Sequence, residues 1–158
     1  MSVIAIDMAM HHLRADPEDQ VLVQAQLDAA EETAMQFLNR RFYLDQVTLD
    51  EARAGVSTAL QQAKDEHAAA VAAAEVEQDH TLRCRLLEHA RQALAEAYDK
   101  GDAIAYGMVL NSAIQAACLL KLGHLFANRE DVVAGVTVTE LPIASQHLLM
   151  PYRIRMGV

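Results

Sequence analysis

The chain has 158 residues, enough for one domain that buries its own core, and it is 53% hydrophobic with only 4% aromatic residues, no Trp, 6 Gly and 3 Pro. Alanine and leucine dominate that apolar fraction and favour helices, because both lose little freedom on entering one; no run nears the roughly 18 apolar residues of a membrane span. The formal charge of −9 repels nucleic-acid backbones and argues against sequence-specific DNA binding, although an acidic wall suits a channel along which DNA slides.

The opening Met1-Ser2-Val3-Ile4-Ala5-Ile6-Asp7 has no basic stretch, so no secretory leader is expected. Val3–Ile6 is short and β-branched, and Asp7 can cap a brief helix through Leu13. Asp16-Pro17-Glu18-Asp19 is a helix start, with Asp16 at the N-cap, Pro17 at the first helical position and two acids where the helix dipole favours them. The helix should run to Asn39, its apolar residues being Val21, Leu22, Ala25, Ala29, Met35, Phe37 and Leu38. Asp28, Glu31 and Glu32 form its other face and read as water-facing. Arg40-Arg41 follow with the sign a helix C-terminus prefers.

Phe42–Val47 reads as a connection. Thr48-Leu49-Asp50-Glu51 fits a capping box and predicts a long helix to about Val76, with a stripe of Leu49, Ala52, Val56, Ala59, Ala63 and Ala70. Glu77-Gln78-Asp79-His80-Thr81 is the most polar break. A second helix, Leu82 to Tyr98, carries Leu86, Ala90, Ala93, Leu94 and Ala97 on one side, and Gly101 suits the position just past its end. The simplest reading is an antiparallel helical hairpin over Thr48–Asp102; the rival is one continuous rod through Asp79, which would bury little per turn.

Val109–Asn128 predicts a core helix, apolar around nearly its whole circumference, with Lys121 its only charge. Such a helix is expected to be covered both by its own fold and by neighbouring subunits. Asn128-Arg129-Glu130-Asp131 stops it, Ala134-Gly135 can turn the chain, and Val136–Thr139 alternates as one arm of a small hairpin. Pro142 opens a last short helix, Ile143–Met150, which Pro151 ends. The expected fold is mainly α: a small helical bundle with a short β-hairpin near the C-terminus and a long α-helical hairpin insertion, 48–102, within a single domain, 1–158.

Candidate chemistry is sparse. Glu77-x-x-His80 has the spacing of a di-iron bundle ligand pair but occurs once, in a stretch that looks like a turn. His11 and His12 cannot both point at one ion from a helix. His80 and Cys84 stand one helical turn apart, a possible thiolate or metal pair, but only one further cysteine, Cys118, exists. Both cysteines read as buried free thiols. There is no Gly-rich phosphate loop, nucleophile elbow or His-Glu-x-x-His run, so no catalytic residue, cofactor or resident metal is expected. His124, beside Gly123, is either a core histidine bonded to a backbone carbonyl or a subunit contact. Arg129-Glu130 is either a solvated helix end or a bridge to a neighbouring subunit. Tyr152, Arg153 and Arg155 form a basic, aromatic tail on an acidic protein, disordered or docking.

Two stretches together resemble the head–tail connector family of long-tailed phages, also called head-completion or adaptor proteins. The first is Asp7-Met8-Ala9 through Leu13-Arg14-Ala15-Asp16, then Asp19, Leu22, Ala29-Ala30-Glu31 and Phe37-Leu38-Asn39-Arg40. The second is Ile114 through Glu130, then Thr139-Glu140-Leu141-Pro142, Leu148-Leu149 and Pro151-Tyr152-Arg153. The sequence departs from the family at Thr48–Asp102, where a shorter connection is usual, and it lacks the bulky aromatic often found near Leu125.

The resemblance implies a structural virion protein of the neck. Its subunits would close into a ring, expected to be twelve-fold, beneath the portal protein. It would extend the DNA channel, touch DNA only as it passes, and dock a stopper or tail-completion protein, with assembly in the host cytoplasm and no membrane partner. By the same analogy the interface residues are Gly123, His124, Asn128, Arg129, Glu130, Glu140, Pro151, Tyr152, Arg153 and Arg155. The alternatives are an intracellular α-helical coiled-coil adaptor and a helical-bundle metalloprotein.

Overall fold

The computed structural model describes residues 2–128 and 143–154. Within them the chain is mainly helical: α1 (Ile6–Leu13), α2 (Gln20–Leu38), α3 (Gln46–Glu75), α4 (His80–Ala105), α5 (Ser112–Ala127) and α6 (Ile143–Leu149). Two two-residue strands, β1 (Phe42–Tyr43) and β2 (Met108–Val109), and 3₁₀ turns at Pro17–Asp19 and Met150–Tyr152 complete the described elements. The expected Ala134-Gly135 turn, the Val136–Thr139 arm of the β-hairpin and the Pro142 helix start lie outside the described residues. The chain divides into two compact units, Met1–Gln46 with Met108–Val158, and Val47–Gly107.

The first unit is a small bundle of α1, α2, α5 and α6. Its core joins Val23, Leu27, Ala30, Ala34 and Leu38 of α2 to Ile114, Ala117, Cys118 and Leu122 of α5, with Ile4, Ala9, Phe42 and Leu149 closing the edges. The α2 stripe therefore differs from the one expected. Val21 is 83% exposed and Leu22 38%, because the 3–4 series that reaches the core starts at Val23 and passes through Glu31. Asn39 ends α2 in the left-handed region, at φ 56°, a conformation asparagine tolerates better than most residues.

Helix α5 begins at Ser112 rather than Val109. Asn111 is its N-cap, its side-chain oxygen accepting from the Ile114 amide at 2.9 Å. Met108 and Val109 lie instead in β2, parallel to β1 with Phe42 opposite Met108 and Tyr43 opposite Val109. The Met108 amide donates to the Arg41 carbonyl at 3.0 Å and the Leu110 amide to the Tyr43 carbonyl at 2.8 Å. Parallel strands need a crossover, and here the crossover is the whole of α3 and α4. Nor is α5 covered on all sides: Ala116, Leu120 and His124 are exposed.

The second unit is a helical hairpin. The Asp79 carboxylate caps α4, accepting from the Thr81 amide at 2.7 Å and the Leu82 amide at 3.1 Å, and the Glu77 carboxylate accepts from the Asp79 amide at 2.9 Å. These local bonds break the chain and exclude a continuous rod. The first helix starts at Gln46, which places Thr48 inside its first turn and overturns the capping-box start.

Leu49, Val56, Leu60, Val71 and Ala74 of α3 and Leu87, Ala90, Leu94, Ala97 and Gly101 of α4 are buried or half-buried, whereas Ala59, Ala70, Leu86 and Ala93 are exposed. Gly101 does not end α4, which continues to Ala105. It is a packing residue: a Cβ there would come within 3.1 Å of Leu60 Cδ2. Arg53 holds the base of the hairpin, its Nε donating to the Ala105 carbonyl at 3.2 Å and its Nη2 to the Gly107 carbonyl at 3.0 Å. No described helix is long and apolar enough to cross a membrane.

Candidate functional site

The C-terminal end of α2 gathers the C-terminal segment. The Ile154 amide donates to the Leu38 carbonyl at 3.1 Å. Asn39 Nδ2 donates to the Ile154 carbonyl at 2.9 Å, and Arg40 Nη1 to the Tyr152 carbonyl at 3.2 Å. The Arg153 guanidinium lies 4.8 Å from the Phe37 ring centroid, a cation–π distance. Residues Tyr152, Arg153 and Ile154 thus pack on their own chain, so they are ordered here by contacts within the first unit. Pro151 is exposed in the turn that leads there.

Beside this docked segment is a cleft of about 70 Å³ between α2, α5 and α6, lined by Ala30, Thr33, Ala34, Phe37, Ala117, Lys121, Ser145, Gln146 and Leu149. Its floor is aliphatic and its mouth carries a cation, Lys121, and short polar side chains. Arg153 Nε is buried with no hydrogen-bond partner among the described residues. Arg41 pairs with Glu32 at 2.9 Å. Lys121 is thus the charged side chain in the cleft lining.

Of the remaining expected interface residues, Gly123, His124 and Asn128 do not join this cluster. Gly123 faces α1: a Cβ there would lie 3.8 Å from His12 Nε2 and 4.0 Å from Leu13 Cδ2, ordinary contact distances. His124 is exposed, so it is not a core histidine; its Nδ1 is 3.2 Å from Asn128 Nδ2, which also donates to the His124 carbonyl at 2.9 Å. Arg129, Glu130, Glu140 and Arg155 lie outside the described residues.

The residue that sequence reasoning misplaced most is Glu31. It is 2% exposed, not water-facing, and its two carboxylate oxygens accept from the Val3 and Ile4 amides at 2.8 Å each. Its position between Leu27 and Ala34 on the core stripe was the available signal. Burial pushes its carboxyl above the ordinary value, Asp28 adding to the rise and the Ile4 and Val3 amides opposing it. The same burial, with the Glu31 charge assisting, pushes the Cys118 thiol up to about 12.

The two thiols consequently differ. Cys84 is exposed, against expectation, with Sγ 3.9 Å from each ring nitrogen of His80, and Cys118 is buried; both are free. A maleimide or Ellman's titration of native protein is expected to modify one thiol quickly, with Cys118 reacting only on unfolding. Loss of the fast phase in Cys84→Ser identifies it. Two fast thiols would contradict the burial of Cys118.

Among the described residues no group of three or more His, Cys, Asp or Glu is placed to hold a metal ion. Glu77 is engaged in the turn and His80 is exposed on the first turn of α4. Compared with protein-family models, with curated proteins and with solved structures, the chain matches none.

Proposed function

We propose that this protein is a head–tail connector: a non-enzymatic subunit that forms a ring beneath a phage portal, continues the DNA channel and presents a docking surface to a stopper or tail-completion protein. One observation carries the reading. The described parts of the two separated stretches that resemble the connector family belong to one compact, helical unit, while most of the departure from the family, Thr48–Asp102, falls in the other compact unit. Support also comes from Leu120, an aliphatic side chain 45% exposed in the middle of the most apolar helix. In the proposed ring a neighbouring subunit would cover it. The strongly acidic composition suits a channel wall past which DNA slides without sticking.

The test is co-sedimentation and electron microscopy of the purified chain with its candidate portal. The expected result is a ring of matching symmetry stacked under the portal. No association at any concentration would sink the proposal. Excising Val47–Gly107 and joining Gln46 to Met108 through a short Gly/Ser linker separates this reading from a coiled-coil adaptor. The β1–β2 pairing brings those ends together, so the shortened chain should keep its fold and its portal binding. An adaptor acting through the arm would lose its partner entirely.

A further inference from the structure

We infer that two faces of the first unit are halves of one contact, through which the acidic ridge Asp16–Leu22 of one copy seats in the α2–α5–α6 cleft of the next. This rests on the ring reading and names the surfaces that would build the ring.

The ridge is a short acidic run with aliphatic side chains standing out of it. Asp16 and Glu18 are exposed, Val21 is 83% exposed and Leu22 38%. An almost bare valine at the start of a long helix gains nothing in the isolated chain and costs nothing to cover. The cleft is its complement in shape and charge. At about 70 Å³ it has roughly half the volume of a 150 Å³ cavity that holds benzene, a fit for one branched aliphatic side chain. Lys121 stands in its wall. Arg153, stacked on the lining residue Phe37, has a buried Nε with no partner among the described residues. Of the acids on this part of α2, Glu31 is taken up by the Val3 and Ile4 amides and Glu32 is held by Arg41. The carboxylate of an incoming Glu18 meets the Lys121 ammonium in the cleft wall.

The ridge lies at the start of α2, and the α2 residues lining the cleft, Ala30 to Phe37, lie in its C-terminal half. From Leu22 to Ala30, the nearest of them, is about 12 Å along the helix, so a ridge fixed on α2 cannot fill its own cleft. A contact between unlike faces repeats in one direction and closes into a ring or runs on as a filament. Glu18 and Lys121 also supply local attraction between molecules whose net charges repel.

Two variants at exposed positions test this: Val21→Asp spoils the ridge and Thr33→Glu puts an acid at the cleft mouth. Sedimentation velocity should show wild type associating as concentration rises, and each variant alone weaker by about tenfold or more. Mixing the two variants is the decisive step. The intact cleft of one takes the intact ridge of the other, and the spoiled faces stop growth, so 1:1 pairs form and nothing larger. In that pair, isotope-labelled Val21→Asp should show amide shifts at Ala34, Lys121 and Leu149.

Wild type monomeric up to millimolar concentration, variants that associate like wild type, or a silent mixture would each overturn the contact. So would a cleft that stays empty in the mixture yet binds an acidic peptide in a Lys121-dependent way, which assigns it to another protein. Rings on the portal formed equally well by both variants would refute these surfaces and leave the connector reading standing.

Discussion

Glu31→Ala is expected to lower the unfolding free energy by about 3 kcal/mol in urea titration, the scale set by stranding buried donors. The carboxylate is 2% exposed and takes both the Val3 and the Ile4 amide. Truncation leaves two N–H groups facing an apolar gap, and each costs on the order of 1–3 kcal/mol. Glu31→Gln should lose less, about 1 kcal/mol, because its amide oxygen still accepts one of the two bonds.

The pH dependence has an unusual sign. The folded carboxyl lies above its ordinary value of 4.5, so the fold binds this proton more readily than the unfolded chain does. The contribution of Glu31 is then fully present below 4.5 and declines as pH rises through the raised value. Relative to Glu31→Gln, wild type should gain stability on mild acidification from neutral pH. An alanine variant within 0.5 kcal/mol of wild type, about the scatter of a neutral surface change, would show that the N-terminal segment is not held by this group.

Leu122→Ala is expected to cost about 3 kcal/mol, within the range of roughly 2–5 for a buried leucine. Leu122 has no exposed surface and packs in the cluster that contains Leu27 and Ile114. Leu120, two residues earlier on the same helix, is 45% exposed. Its truncation should leave the midpoint of unfolding within about 0.5 kcal/mol of wild type and, under the connector reading, weaken ring formation instead. Equilibrium urea unfolding of both variants, followed by sedimentation with the portal, distinguishes the two roles. Equal stability losses would mean that α5 is packed differently.

That pair of leucines shows what was legible in the sequence. An apolar helix was plain from composition; which of its sides meets the core was not, because nearly every side is apolar. Helix α2 presented the opposite difficulty. Its end at Asn39 was readable, but its start was not: Pro17–Asp19 form a separate 3₁₀ turn, Asp16 makes no side-chain cap bond and α2 begins at Gln20; its phase was lost because Glu31 was assigned to water by residue type. A carboxylate on a core stripe makes sense only once its acceptor duty is known, and its donors lie 27 and 28 residues away. The hairpin was legible because Asp79 and Glu77 act on immediate neighbours. Gly101 misled for the converse reason: glycine signals a helix end locally, and its packing against Leu60 is a distant fact.

The two strands are too short for any alternation to register, and their partners are separated by the entire hairpin. The α2 end of the candidate site was half visible. Tyr152 and Arg153 stood out by chemistry, whereas Phe37, Lys121 and Leu149 become one surface only through three elements far apart in sequence.

The four residues of the parallel ladder carry one more consequence. Because Phe42–Met108 and Tyr43–Val109 fasten the chain where the hairpin leaves and returns, hairpin length is a free parameter. Seven residues added to each long helix would extend it by about 10 Å and disturb no bond in the four-helix unit. Selection can lengthen or trim this piece as a ruler is cut, by pairs of heptads, without renegotiating the handle that holds it.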